Sequence, residues 1–312
     1  MTARAPRRRL GADRVFRGTS RAASGTVLLV VAAMAVFLIF RAVPALRADT
    51  VNFFTEQVWQ PDSDSPRFGI AAALYFTVLT SAIAIALAVP VALTSALFIT
   101  FYAPRRLGKA LGYLVELLAA VPSIVYGLWG FAFLAPHLTG LVTWLDRWFG
   151  WTVILSYRPD NEPNSYSPLA AGVVLAIMIL PTISSISREV FRHVPDDQLE
   201  AALALGASRS EMLRLAVLPV SRPGVIAASL LGLSRALGET LAVTLVLSTM
   251  FTISFHITES GGVTFAAIIA LKYGEAGQIG TGALIAVGLC LFVLTLAVNL
   301  AASAISGRRR EA

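Results

Sequence analysis

Charge is scarce in this sequence. Of 312 residues only 14% are Asp, Glu, Lys or Arg, where a soluble domain carries about 25%. Hydrophobic residues make up 56%, and the mean hydropathy is +0.74. Several uncharged runs exceed the ~18–20 residues that cross a bilayer as helix, which excludes a soluble domain. Cysteine is nearly absent: Cys290 stands alone in an apolar run, so no intrachain disulfide can form. The three histidines, His137, His193 and His256, fall in three separate loops and give no reason to group them as metal ligands. No G-x-x-x-x-G-K-[ST] run occurs, so any ATP hydrolysis belongs to another chain. No Ser/His/Asp arrangement presents itself, which argues against an intramembrane enzyme.

The long apolar runs define the expected architecture. Charge-poor windows predict an all-α, polytopic membrane protein with six transmembrane helices near 22–40, 70–102, 111–134, 169–186, 224–250 and 280–305. Pro90 is expected to kink the second, with neighbouring helices satisfying the freed carbonyl. The first window has a basic flank, but its 19 uncharged residues exceed the ~7–15 of a signal-peptide core. It is expected to be an uncleaved anchor.

Basic residues are distributed unevenly between the two sides. The tail to Arg21, the 103–110 loop, the 187–222 loop and the segment after Ile305 hold eighteen Lys and Arg, against six (Arg41, Arg47, Arg67, Arg147, Arg158 and Lys272) on the other side. By the positive-inside rule both termini are cytoplasmic. This skew already accounts for the +7 net charge, so nucleic acid is not an expected partner. The expected organisation is a basic tail (1–21), a first helix with its outside loop (22–66), a transmembrane domain (67–305) and a short tail (306–312).

The 187–222 loop has internal structure. Pro195-Asp196-Asp197 reads as a helix start, with acidic residues at the positive end of the dipole. Gly206 reads as the C′ glycine that ends this helix. Ser208, with Glu211 three residues on, has the spacing of a capping box for the next. Within it, Glu200-Ala201-Ala202, Gly206 and Leu218-Pro219 resemble the EAA loop of ABC importer permeases: E-A-A, three residues, G, nine residues, I, one residue, L-P. Ala216 stands where that family prefers Ile. The resemblance implies the type I ABC importer permease fold, and implies that Glu200, Ala201, Ala202, Gly206, Leu218 and Pro219 dock an ATPase subunit. Small residues there let another surface approach closely.

Charge also occurs where it is least expected. Arg235 and Glu239 sit in "GLSRALGETLAV", and Arg235 lies thirteen residues past Arg222. At 1.5 Å per residue that is roughly 20 Å into a ~30 Å hydrocarbon core. An arginine this deep faces a cavity or a polar partner, and its planar fork suits oxyanions. Arg235 and Glu239 are i,i+4 neighbours and so share a helix face, and they are expected to neutralise each other when no anion is bound. Glu116 is a third charge in an apolar window. "GLSRALGETLAV" together with "AVPSIVYGLWG" resembles the C-type permeases of the phosphate-specific (Pst) ABC importers, over about 70–303. The resemblance implies phosphate passage at Arg235 and Glu239 only; Glu116 fits the family's E-L-L-A-x-x-P-S pattern and is expected along the same path. It also implies an A-type permease partner, two ATP-binding subunits that use ATP and Mg, and an extracytoplasmic phosphate-binding protein docking partly on 261–280. No cofactor is expected on this chain. The competing readings are a permease of the same fold for molybdate, sulfate or phosphonate, and an ATP-independent channel or proton-coupled carrier.

Overall fold

Among the described residues, six helices are long and apolar enough to cross a membrane: Val15–Ala48, Ala71–Tyr102, Ser123–Phe149, Pro168–Arg192, Arg209–Leu237 and Gln278–Ala301. They come from a computed structural model that describes residues 9–152, 154–156 and 166–307. The arginines before Arg9 and the run Arg308–Arg310, both used in the charge count, lie outside the described residues, as do Arg158 and most of the loop before the fourth span.

The first span is helix α1 (Arg9–Ala48), which exposes nearly its whole apolar surface: only 6% of its most apolar window is buried, against 61% for the fourth span. Helix α2 (Ala71–Leu97) carries Pro90 and continues through a π-helical turn to Tyr102. The fourth span, α6 (Pro168–Arg192), is the centre of the bundle. It packs most extensively on α2 and next on α9 (Leu218–Leu237). Ala84, Ala88, Ala92 and Ala96 recur every fourth residue on α2 and are buried. The first three meet Ala171, Val174, Leu175 and Ile179 of α6 in one cluster. Lipid supplies no hydrophobic drive between helices, so such interfaces rely on small residues that bring backbones into van der Waals contact.

Two boundaries differ from expectation. The third window, expected at 111–134, is two elements. An amphipathic helix, α3 (Arg105–Ala119), precedes a span built from α4 (Ser123–Trp129), a π-turn and α5 (Ala135–Phe149). Pro122 makes the break, because it drives its predecessor away from α geometry. The fifth window, expected as one helix over 224–250, stops at Leu237 and resumes as α10 (Leu241–Val246).

The two ends of the bundle are finished differently. At one end the only paired strands among the described residues, β1 (Trp59–Gln60) and β2 (Arg67–Phe68), form a short hairpin. It packs with α11 (Phe265–Lys272) and the start of α12 (Gln278–Gly307) around Phe53, Phe68, Phe265 and Ile268. Asp62 accepts hydrogen bonds from the Gly277 and Gly280 N–H groups, both 2.8 Å. These amides begin α12, where intrahelical partners are lacking and negative charge is favoured. At the other, basic end, α7 (Asp196–Ala204) and α8 (Arg209–Met212) are held by Met212, Leu213 and Val217 against Phe191 and Ala96.

Candidate functional site

Arg235 occupies the last turn of α9. Gly238 caps this helix with φ −92° and ψ 2°, and the chain turns through Glu239 and Thr240 before α10 begins. The break separates the two charges that an unbroken helix would align. Arg235 Nη1 donates to Thr182 Oγ1 on α6 at 3.0 Å. Glu239 Oε1 accepts from the Ala242 N–H at 3.2 Å, serving one of the orphan donors at the start of α10. Among the described residues no ion pair within 4.0 Å joins Arg235 to Glu239, so the expected mutual neutralisation is not the arrangement present. Both side chains are half-buried.

Thr182 is the only hydrogen-bond partner of Arg235 among the described residues. A guanidinium has five donors, so most of this fork is free to take an oxyanion bidentately. Sequence reasoning missed Thr182, although it follows Pro181 in an otherwise apolar run. It also missed Tyr126 of α4, which is buried and donates to the Leu118 carbonyl at 2.7 Å.

Glu116 lies elsewhere. It is on α3, not in a span, and accepts from Arg188 Nη2 of α6 at 2.7 Å. No hydrogen bond or ion pair joins it to Arg235 or Glu239 among the described residues. The charge pattern places Arg188 in the 187–222 loop, but it lies near the end of α6 and is buried.

The loop residues form the motif that their chemistry dictates. Gly206 has φ +85°, and a Cβ there would meet nothing within 4 Å. The demand for glycine is therefore conformational rather than steric. The Gly206 N–H donates to Leu203 O at 3.0 Å and the Ala207 N–H to Ala202 O at 3.2 Å, the two bonds of a Schellman motif. Ser208 and Glu211 form the reciprocal capping box. Glu211 is held below the usual glutamate range by the Ser208 hydroxyl and then by the Ser208 N–H. Helix α7 has no buried residue, and Glu200 and Ala201 are exposed. Ala201, Ala202, Leu205, Gly206 and Leu215 line an open groove of about 650 Å³, with Leu218 and Pro219 exposed at the start of α9.

Residues 88–311 match the model of the binding-protein-dependent transport system inner membrane component. The chain is 46% identical over 297 residues to the "Phosphate transport system permease protein PstC 2" of Mycobacterium tuberculosis, covering 95% of this chain and 92% of that one. It is 46% identical over 299 residues to the "Phosphate transport system permease protein PstC" of Mycobacterium leprae, covering 95% and 94%. Among solved structures, a bacterial ABC transporter involved in the import of the acidic polysaccharide alginate aligns with a TM-score of 0.58 at 16% identity, over 95% of this chain and 99% of that one. The MetNI methionine ABC transporter aligns with a TM-score of 0.51 at 17% identity, over 77% and 94%. At these identities the two structures establish the fold alone.

Proposed function

Because this chain belongs to the family of binding-protein-dependent inner-membrane transport components, among the C-type phosphate permeases, we propose that it is the membrane subunit through which inorganic phosphate enters the cytoplasm, driven by ATP hydrolysed on separate subunits. The observation that carries this reading is Arg235: a permanent cation at the broken end of a membrane-spanning helix, bonded to Thr182 alone among the described residues. Phosphate is mono- or dianionic near neutral pH and needs compensation in a low-dielectric region. A guanidinium supplies it with a fork of matching geometry. Glu239, capping α10 four residues along the chain, keeps a negative charge close by. That charge weakens the hold on phosphate, and a transit site must release its cargo. Glu116 belongs to the same path, on the side of Arg188.

The remaining parts follow from the family. An A-type permease pairs with this chain across the membrane. Two ATPase subunits, using ATP and Mg, bind the α7–α8 loop through Glu200, Ala201, Ala202, Gly206, Leu218 and Pro219. A phosphate-binding protein docks on the hairpin end, which faces outward, with both termini in the cytoplasm. Residues 67–305 form the transmembrane domain.

The test is phosphate uptake into vesicles holding the assembled complex, with and without ATP and binding protein. Wild-type uptake is expected to need both. Arg235→Ala is expected to assemble but abolish uptake, and Arg235→Lys, which keeps the charge and loses the fork, to transport poorly. Wild-type uptake by an assembled Arg235→Ala complex would sink the transit site. Uptake without ATP or binding protein would favour a carrier.

A further inference from the structure

Arg188 is the most deeply buried charge among the described residues, 3% exposed. Helix α3 closes over it at Gly112: a Cβ there would overlap Arg188 Nη1, so the guanidinium in its present position lies directly against the glycine. Its Nη2 donates to Glu116 Oε1 at 2.7 Å, while its Nε is buried with no hydrogen-bond partner among the described residues. Nε and Nη2 present their N–H bonds side by side along one edge of the guanidinium. This edge is the fork that takes two oxygens of one oxyanion. One tine is occupied by Glu116 and the other is empty. The Ser187 hydroxyl on the same turn of α6 is also buried with no partner among the described residues. Buried donors left unpaired are uncommon, and an ion or water absent from the structure is one of their standard explanations.

We propose that Arg188 is a second oxyanion station, lying between the Arg235 site and the basic end. This inference rests on the phosphate-path reading above. Arg188 is six residues along α6 from Thr182, the Arg235 partner, which is roughly 9 Å of helix. The two stations share a design: a guanidinium anchored on or against α6, and a carboxylate on a separate element. At Arg188 the carboxylate is displaceable. The Glu116 side chain is 54% exposed against 4% for Arg188, so it has room to rotate off the guanidinium when phosphate takes the fork. The exchange of one anion for another leaves the buried cation compensated throughout. It also moves the contact that ties α3 to α6, so occupancy at this level alters how α3 sits.

The test uses the assembled complex without ATP and measures retention of radiolabelled inorganic phosphate. Glu116→Gln keeps an oxygen for Arg188 Nη2, so α3 stays docked, but removes the competing charge. Retention is expected to tighten roughly tenfold, the scale of one charge-assisted bond no longer contested. The gain is expected to persist in an Arg235→Ala background and to vanish when Arg188→Lys is added. If Glu116→Gln leaves retention unchanged, or its gain disappears with Arg235→Ala, the second station is overturned and the Arg188–Glu116 pair is packing. Import by Arg235→Ala alone reports separately on the path reading, so the two failures are distinguishable.

Discussion

The two ends of this bundle hold their loops in opposite ways. At the hairpin end, contacts come from far along the chain: Asp62 to Gly277 and Gly280, Gln57 to the Ile253 N–H, and the Phe265 N–H to Thr77 Oγ1. Phe68 and Phe265 are fully buried there. At the basic end, α7 buries nothing, and the order of the α7–α8 turn comes from bonds between residues at most five apart. A long-range clamp fixes where helices sit. A locally determined turn keeps its shape while leaving its surface for another protein. The difference predicts that stability and coupling to an ATPase separate along the molecule.

The strongest break of this contrast is at the clamp. Phe265→Ala removes a fully buried ring and is expected to cost about 3–5 kcal/mol, read as a lower unfolding temperature of the purified protein. Phosphate uptake per folded complex is expected to change little. A loss of coupling without loss of stability would mean that the hairpin end is not the passive partner. Asp62→Ala is a milder version. It leaves the Gly277 and Gly280 amides without their carboxylate and is expected to cost about 1–3 kcal/mol, again with coupling retained.

At the basic end the balance reverses. Gly206→Val forces a β-branched residue to φ +85°, a strain of at least about 1–2 kcal/mol. Because α7 has no fully buried residue and meets the bundle only through the partly buried Leu199 and Ala202, this strain is expected to be relieved by local unwinding, with little change in the global unfolding temperature. Stimulation of the ATPase is expected to be lost. Normal ATPase stimulation in that variant would return the loop to a solvated linker. Labelling sharpens the orientation of the two ends. In a Cys290→Ser background, Ser65→Cys is expected to react with an impermeant thiol reagent in intact cells and Ser210→Cys to stay unlabelled.

What was legible in the sequence follows the same division. The caps at Pro195, Gly206 and Ser208 could be read because each rests on a residue's own backbone preference or on a partner a few positions away. The number of spans was legible because hydropathy is summed over many residues. The α3–α4 division was not, because the apolar face of α3 runs into that of α4 and only Pro122 marks the join. The break at Gly238 was hidden because a glycine in an apolar run reads as tolerated. The Arg188–Glu116 pair spans 72 positions, and no local pattern announces a partner at that separation. For Arg235 the sequence showed the charge but not its partner: an unbroken helix would have given it Glu239, and the fold gives it Thr182.

The smallest expected effect is at Glu211, where it tests whether the turn stands on local bonds. The Ser208 hydroxyl and then the Ser208 N–H hold its carboxyl below the ordinary value of 4.5, against a slight opposing effect of burial. A folded pKa below the unfolded one means that the ionised form is favoured by the cap. The cap's contribution is therefore complete above about pH 5 and falls away as the pH drops through 4.5 and below. The group is fully exposed, so the change is confined to the turn. Amide exchange at Ser208 and Glu211, corrected for its intrinsic dependence on pH, is expected to be slow and constant from pH 7 to 5 and to speed up below that. Glu211→Gln still accepts from the Ser208 amide but has no charge to lose, so its exchange is expected to be flat with pH. Faster exchange at Ser208 that persists in Glu211→Gln would mean that acid loosens the turn through some other group, and the claim that its shape is locally held by this pair would fail.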